Sequence, residues 1–192
     1  MPSLRTPAPL NPKTEMERDL IICLLQGESQ DREAFDCGEP ALNDYLRRTA
    51  WQHQRKRIAN TYVLVRRAEP ERILGFFTLS FLEVEATEIP TGLRKRLPSS
   101  RLPAARLGRL AVDLSCQGEG YGGLLLADAV RRVAGAIREV AGVVGLFVDA
   151  KNARLVGYYQ RFGFIPLEDN PLILMLPSRT ILEAFSGDES GG

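Results

Sequence analysis

The stretch LGRLAVDLSCQGEGYGGLLLADAV, residues 107–130, holds the residues best suited to chemistry. An apolar strand runs into Gln117-Gly118-Glu119-Gly120-Tyr121-Gly122-Gly123, and an amphipathic helix leaves. Glycine has no Cβ, so the backbone N–H groups of such a turn can approach a ligand closely. At a helix start those N–H groups lack internal partners, and the helix dipole is positive there. Together these features make a site for phosphate. The same residues also suit a tight structural turn, and the spacing alone leaves both open. The turn lacks the Lys-Ser/Thr ending of a nucleotide-triphosphate loop and falls late in the chain, unlike most dinucleotide fingerprints.

Metal chemistry finds little support. His53 is the only histidine, and Cys23, Cys37 and Cys116 are widely spaced with no CxxC pair. That spacing argues against a zinc site and suits small neutral side chains in a reducing cytoplasm. The net charge of +1 argues against a generic nucleic-acid binder. Its distribution is uneven. No acid lies between Asp44 and Glu69, or between Glu88 and Asp113, yet these two windows hold thirteen of the 25 basic residues. They form either one local positive surface or two ordinary solvated faces.

The elements that must position these groups follow from patterning. At 192 residues and 44% hydrophobic content, the chain suits one domain with a real core. Residues 1–14 and 186–192 read as flexible extensions around a domain at 15–185. No apolar run suits a membrane span, and no signal peptide opens the chain, so a cytoplasmic protein is expected. Residues 20–25 read as a strand. Pro40 to Arg57 reads as a helix burying Leu42, Tyr45, Leu46, Thr49 and Ala50. Residues 61–67 and 73–85 read as a hairpin, and 90–105 as a short helix and loop. Residues 105–114 form a strand, and a long helix to about Ala141 buries Leu126, Ala129, Val130, Val133, Ile137 and Val140. Residues 142–150 form a strand buried on both faces, 151–162 a short helix, and FGFIPL and LILMLP the last strands. The pattern is mixed α/β, a central sheet with helices on both faces.

Gln117-x-x-Gly120-x-Gly122 resembles the (Arg/Gln)-x-x-Gly-x-(Gly/Ala) motif of the GCN5-related N-acetyltransferase (GNAT) family. Residues 151–164, KNARLVGYYQRFGF, resemble that family's N-x-x-A-x-x-x-Y-x-x-x-G-F segment, with Leu155 where alanine is usual. The resemblance implies a single α/β (α+β) domain with a mixed, mostly antiparallel sheet, and acetyl-CoA as co-substrate without a metal. It implies that Gln117, Gly118, Glu119, Gly120, Tyr121, Gly122 and Gly123 hold the pyrophosphate. Leu110, Ala111 and Val112 would pair with the pantetheine arm, and Asn152 would add a contact. Tyr159 would protonate the departing thiolate, with Tyr158 as packing. The general base stays open between Glu83, Glu85, water or none; His53 is structural or substrate-contacting. A backbone N–H of Leu110 or Val112 would stabilise the oxyanion.

A narrower resemblance covers residues 20–180. FDCGEPALNDYL, GFFTLS and LGRLAVD are similar to the GNAT toxins of bacterial toxin–antitoxin pairs. This implies acetylation of the α-amine of aminoacyl-tRNA and arrest of translation, with a ribbon-helix-helix antitoxin as partner and a homodimer as a further expectation. Contacts to tRNA phosphate are expected from Arg47, Arg48, Arg55, Lys56, Arg57, Arg94, Lys95 and Arg96. The alternatives are an acetyltransferase of a small amine or protein amino group, and a non-catalytic acyl-CoA-binding module.

Overall fold

The computed structural model describes residues 19–95, 97–98, 101–139 and 142–186. The expected N-terminal extension, Arg96, and the tail beyond Ser186 lie outside these residues. A seven-stranded sheet organises the rest, in the order β1-β2-β3-β4-β5-β7-β6. Its strands are β1 (Leu20–Leu24), β2 (Asn60–Arg66), β3 (Gly75–Val84), β4 (Leu102–Val112), β5 (Gly145–Asp149), β6 (Ile165–Pro166) and β7 (Ile173–Pro177). Only β4 and β5 pair in parallel; every other neighbour is antiparallel.

Alternation along the strands divides the core between two faces. Leu64, Phe77, Leu107, Leu146 and Leu174 face α3 (Tyr121–Glu139), whose Leu125, Leu126, Ala129 and Val133 cover them. The same face carries α4 (Ala153–Gln160) and α5 (Ser178–Ala184). The opposite face holds two separate apolar clusters. One, with Val63, Val65, Ile73, Phe76 and Ala111, lies under α1 (residues 40–55). The other, with Ala104, Phe147 and Met175, lies near α2 (Thr91–Arg94). Helix α1 runs as an α-helical turn at Pro40–Asp44, a π-helical turn at Tyr45–Thr49 and an α-helical turn at Ala50–Arg55. Proline suits its first turn, where no N–H is needed. The helix stops two residues short of the expected Arg57, which has φ +57°.

Three expectations need correction. Strand β4 begins at Leu102 rather than 105, because Leu102 and Ala104 are drawn into the cluster with Phe147. Helix α5 was not foreseen; it follows β7 and buries Ile181. The strand expected in FGFIPL shrinks to Ile165–Pro166. A β-bulge also interrupts β4. Thr78 pairs with Arg109 but Leu79 with Leu107, so Gly108 is the extra residue.

The bulge coincides with the parting of β4 from β5. These strands pair only across Ala105–Leu107 and Leu146–Val148. Beyond that point residues 108–112 keep β3 on one side, and their other backbone edge lies open.

Close packing of β3 under α3 sets a stability prediction. A Cβ on Gly75 would stand 2.8 Å from Leu125 Cδ1 and 2.9 Å from the Ala111 carbonyl oxygen. The backbone oxygen cannot give way cheaply. Gly75→Ala is expected to destabilise by about 2 kcal/mol, lowering Tm by several degrees in a thermal melt. A wild-type Tm would show that β3 and β4 can separate there.

Candidate active site

Strand β4 delivers the chain into the glycine turn, and side chains clamp that turn from behind. The Asp113 carboxylate accepts from Ser115 N–H and Asp36 N–H, both at 3.0 Å. Burial pushes the Asp113 carboxyl up, but the Ser115 hydroxyl and these N–H donors outweigh it and hold the group below its ordinary range. Gln117 Nε2 donates to the carbonyls of Cys37 at 3.1 Å and Val112 at 3.0 Å. The Gln117 side chain therefore fastens the turn and does not reach outward.

Gly118 and Gly120 sit at φ +89° and +86°, which side chains rarely adopt. A Cβ at either would meet nothing within 4 Å, so the turn presents bare backbone to open space. Gly123 and Leu124 donate to the Gly120 carbonyl at 3.0 and 3.2 Å. The N–H groups of Tyr121 and Gly122 precede these bonds, at the positive end of a 19-residue helix. The Tyr121 side chain is buried and its hydroxyl accepts from Arg66 at 3.3 Å, so it offers only its backbone. Glu119 is exposed and adds no positive charge.

The open edge of β4 leads away from this cradle. Asp113 N–H donates to Leu74 O on the β3 side, while the Val112 carbonyl turns the other way to meet Gln117. Strand alternation then aims the N–H groups of Leu110 and Val112 at the open edge, and that of Ala111 at β3. Ala111 itself is buried under α1.

Helix α4 follows β5 across the gap. Asn152 caps it, with Oδ1 accepting from Leu155 N–H at 3.1 Å, and Nδ2 has no partner among the described residues. Tyr159 is 8% exposed, with ring centroids 5.4 Å from Tyr158 and 5.5 Å from Phe164. Burial first, and the neighbouring Tyr158 second, push its phenol up to about 12. The Tyr158 hydroxyl is buried without a hydrogen-bond partner and lies 3.5 Å from where a Gly122 Cβ would stand. Desolvation raises the Tyr158 phenol as well. The sequence alone placed Tyr158 as packing; the structure adds that its hydroxyl abuts the cradle.

The carboxylates considered as bases stand elsewhere. Glu83 pairs in register with Pro103, seven residues along β4 from Leu110. Glu85 caps the turn at Ala86–Glu88 and pairs with Arg101 at 2.7 Å. His53 packs edge-on against Tyr45 at 5.6 Å. Among the basic candidates, Arg48, Arg55, Lys56, Arg57 and Lys95 are exposed. Arg47 instead donates to the Phe35 carbonyl at 2.9 Å, and Arg94 to the carbonyls of Thr87 and Ile89. Those two guanidinium groups are held by the fold. Arg109 lay in the second acid-free window but was not among the expected contacts.

The glycine turn and the open edge of β4 suit a long ligand with phosphate on the helix start and amides along the strand. The Tyr159 phenol, near pKa 12, stays protonated through neutral and moderately alkaline pH. It loses its proton only as pH rises toward about 12. If Tyr159 acts as a proton donor, kcat/KM should rise as an acceptor α-amine of pKa about 8 loses its proton. It should then hold level to about pH 10. A descending limb near pH 9 in a rate profile would contradict this.

The GNAT acetyltransferase family model matches residues 28–164. A tRNA-acetylating toxin of Mycobacterium tuberculosis is 33% identical over 149 residues, covering 78% of this chain and 87% of that protein. The structure of AtaT complexed with acetyl-methionyl-tRNAfMet superposes with a TM-score of 0.80 at 36% identity, covering 87% of this chain and 99% of that one. A tyrosine-to-phenylalanine mutant of AtaT, bound to the C-terminus of the antitoxin AtaR and acetyl-CoA, gives 0.74 at 34% identity, covering 88% and 99%. No helix among the described residues is long and apolar enough to cross a membrane. The family model spans most of the chain, and this protein belongs to the GNAT family of acetyltransferases.

Proposed function

We propose that the protein transfers the acetyl group of acetyl-CoA to the α-amine of aminoacyl-tRNA, and so acts as a toxin that stops translation. The likeness to AtaT in complex with acetyl-methionyl-tRNAfMet, over nearly the whole of that chain, carries this proposal. The exposed Arg48, Arg55, Lys56, Arg57 and Lys95, with Arg96, would meet tRNA phosphates. Acting on tRNA, the protein would work in the cytoplasm. Its partner would be an antitoxin with a ribbon-helix-helix part and a tail covering the basic surface, and the toxin would work as a homodimer.

Acetyl-CoA supplies an acetyl group activated as a thioester. The N–H groups of Tyr121 and Gly122, with the glycine backbone of 118–123, would hold its pyrophosphate, and Asn152 would add a contact. The β4 edge would pair with its pantetheine amides. The Leu110 or Val112 N–H would stabilise charge on the reacting carbonyl oxygen. Tyr159 O–H would donate to the departing sulfur. An α-amine of pKa about 8 is partly neutral at cytoplasmic pH, so no side-chain base is needed.

Labelled acetyl-CoA incubated with a pool of charged tRNAs, and with uncharged tRNA beside it, tests the proposal. Label on charged tRNA alone supports it. The near-neutral net charge favours a second substrate class, small amines or protein amino groups. Label on those acceptors, with none on charged tRNA, would establish that class instead.

A further inference from the structure

The face of the sheet opposite the cradle carries a polar strip between its two apolar clusters. Thr61 pairs in register with Thr78, and Thr78 with Arg109, so these three form a row across β2, β3 and β4. Thr61 and Thr78 are fully buried, and Thr61 Oγ1 has no hydrogen-bond partner among the described residues. The Arg109 guanidinium lies over the Tyr45 ring, 3.6 Å from its centroid. That ring is fixed by stacking on Phe76 at 6.4 Å and by the edge of His53 at 5.6 Å. The Tyr45 hydroxyl is buried without a partner among the described residues, and Tyr45 opens the π-helical turn of α1. Such turns often mark functional sites.

Arg109 is half-buried, and among the described residues no carboxylate lies within ion-pair distance of it. A cation drawn partly out of water costs free energy unless an anion meets it. None of the described residues supplies such an anion. Arg109 is also one residue from Leu110, whose N–H faces the expected thioester carbonyl. It stands on the sheet face away from α3 and keeps part of its surface exposed to solvent.

We propose that Arg109, braced on Tyr45, binds the phosphodiester nearest the reacting amine of the acceptor. This rests on the function proposed above. In an aminoacyl-tRNA the closest anion to the α-amine is the phosphate carrying the terminal nucleoside. A guanidinium binds phosphate through two parallel N–H donors. The aromatic face beneath holds that fork in plane, so less rotamer freedom is lost on binding.

The test compares two acceptors bearing the same amino acid, an aminoacyl-adenosine without phosphate and an aminoacyl-cytidylyl-adenosine with one phosphodiester. Charged tRNA is run alongside, with wild type, R109Q and R109K. R109Q should raise KM for the dinucleotide ester and charged tRNA by about 10- to 100-fold, the loss of a charge-assisted pair. The nucleoside ester should be acetylated as by wild type, and the acetyl-CoA Kd and Tm should be unchanged. R109K, which keeps charge without the fork, should fall between. Equal losses on both esters, or no loss on either, overturn the assignment while leaving the proposed function intact. A shifted acetyl-CoA Kd would place Arg109 at the donor instead, and overturns it too. If R109Q does not fold, R109K carries the comparison. A wild-type enzyme that acetylates none of these acceptors refutes the proposed function and this inference with it.

Discussion

Replacing Tyr159 by phenylalanine is expected to lower kcat by about 100- to 10,000-fold and to leave acetyl-CoA affinity nearly unchanged. The variant keeps the ring, and with it the contacts to Tyr158 and Phe164. It removes one hydroxyl from a residue already 8% exposed, so the fold loses no apolar burial. Only a proton donor disappears. A phenol near 12 is a weak acid beside an ordinary thiol of about 8.5. The same desolvation that raises the phenol also raises a thiolate leaving beside it, which narrows the gap. Single-turnover transfer, acetyl-CoA titration and a melting curve measure the three quantities separately. Activity, binding and Tm falling together would make Tyr159 a structural residue.

Tyr158→Phe is the natural comparison, because its hydroxyl has no partner among the described residues and lies beside Gly122. Its loss breaks no protein hydrogen bond, and its distance to Gly122 places it at the cradle end. The expected change is a small one in KM for acetyl-CoA, not in kcat. If Tyr158→Phe abolishes turnover while Tyr159→Phe does not, the donor has been assigned to the wrong ring.

The glycine turn was legible because its geometry is local. Gln117 to Gly123 form one continuous turn, and its glycines are needed where the backbone takes positive φ. The long helix after it shows its buried stripe in the sequence, since Leu126, Ala129, Val130 and Val133 recur at helical spacing. The placement of Arg109 on the face with Tyr45 was not legible, and the bulge at Gly108 explains why. Strict alternation through β4 would set Arg109 on the side of Ala105 and Leu107, under α3. One extra residue turns it over, alongside Ala111 and against Tyr45. No side-chain pattern announces a bulge, and a glycine in a strand is only a hint of one. Arg47 and Arg94 show a related limit. Charge spacing cannot tell an arginine facing solvent from one tied to carbonyls, as these two are. Helix α5 was missed because its seven residues bury only Ile181 fully, too little apolar periodicity to read.

Gly120→Val should weaken acetyl-CoA binding by about 10- to 100-fold, the loss of one charge-assisted hydrogen bond between backbone and phosphate. Space inside the protein is not the obstacle, since a Cβ there would touch nothing within 4 Å. The obstacle is φ +86°, which a β-branched residue resists, so the turn must rotate and its N–H groups must re-aim. The new side chain would also stand where the phosphate approaches. Some loss of stability is expected from the strain, about 1–2 kcal/mol. A second substitution separates the two effects. Gly135 lies inside α3 with open space around its Cα, so Gly135→Ala should restore about 1 kcal/mol through helix propensity. The double variant should then melt near wild type and still bind acetyl-CoA poorly by calorimetry. Recovery of affinity along with Tm would mean that the glycine serves the fold alone. Unchanged affinity in Gly120→Val itself would remove the phosphate site from this turn.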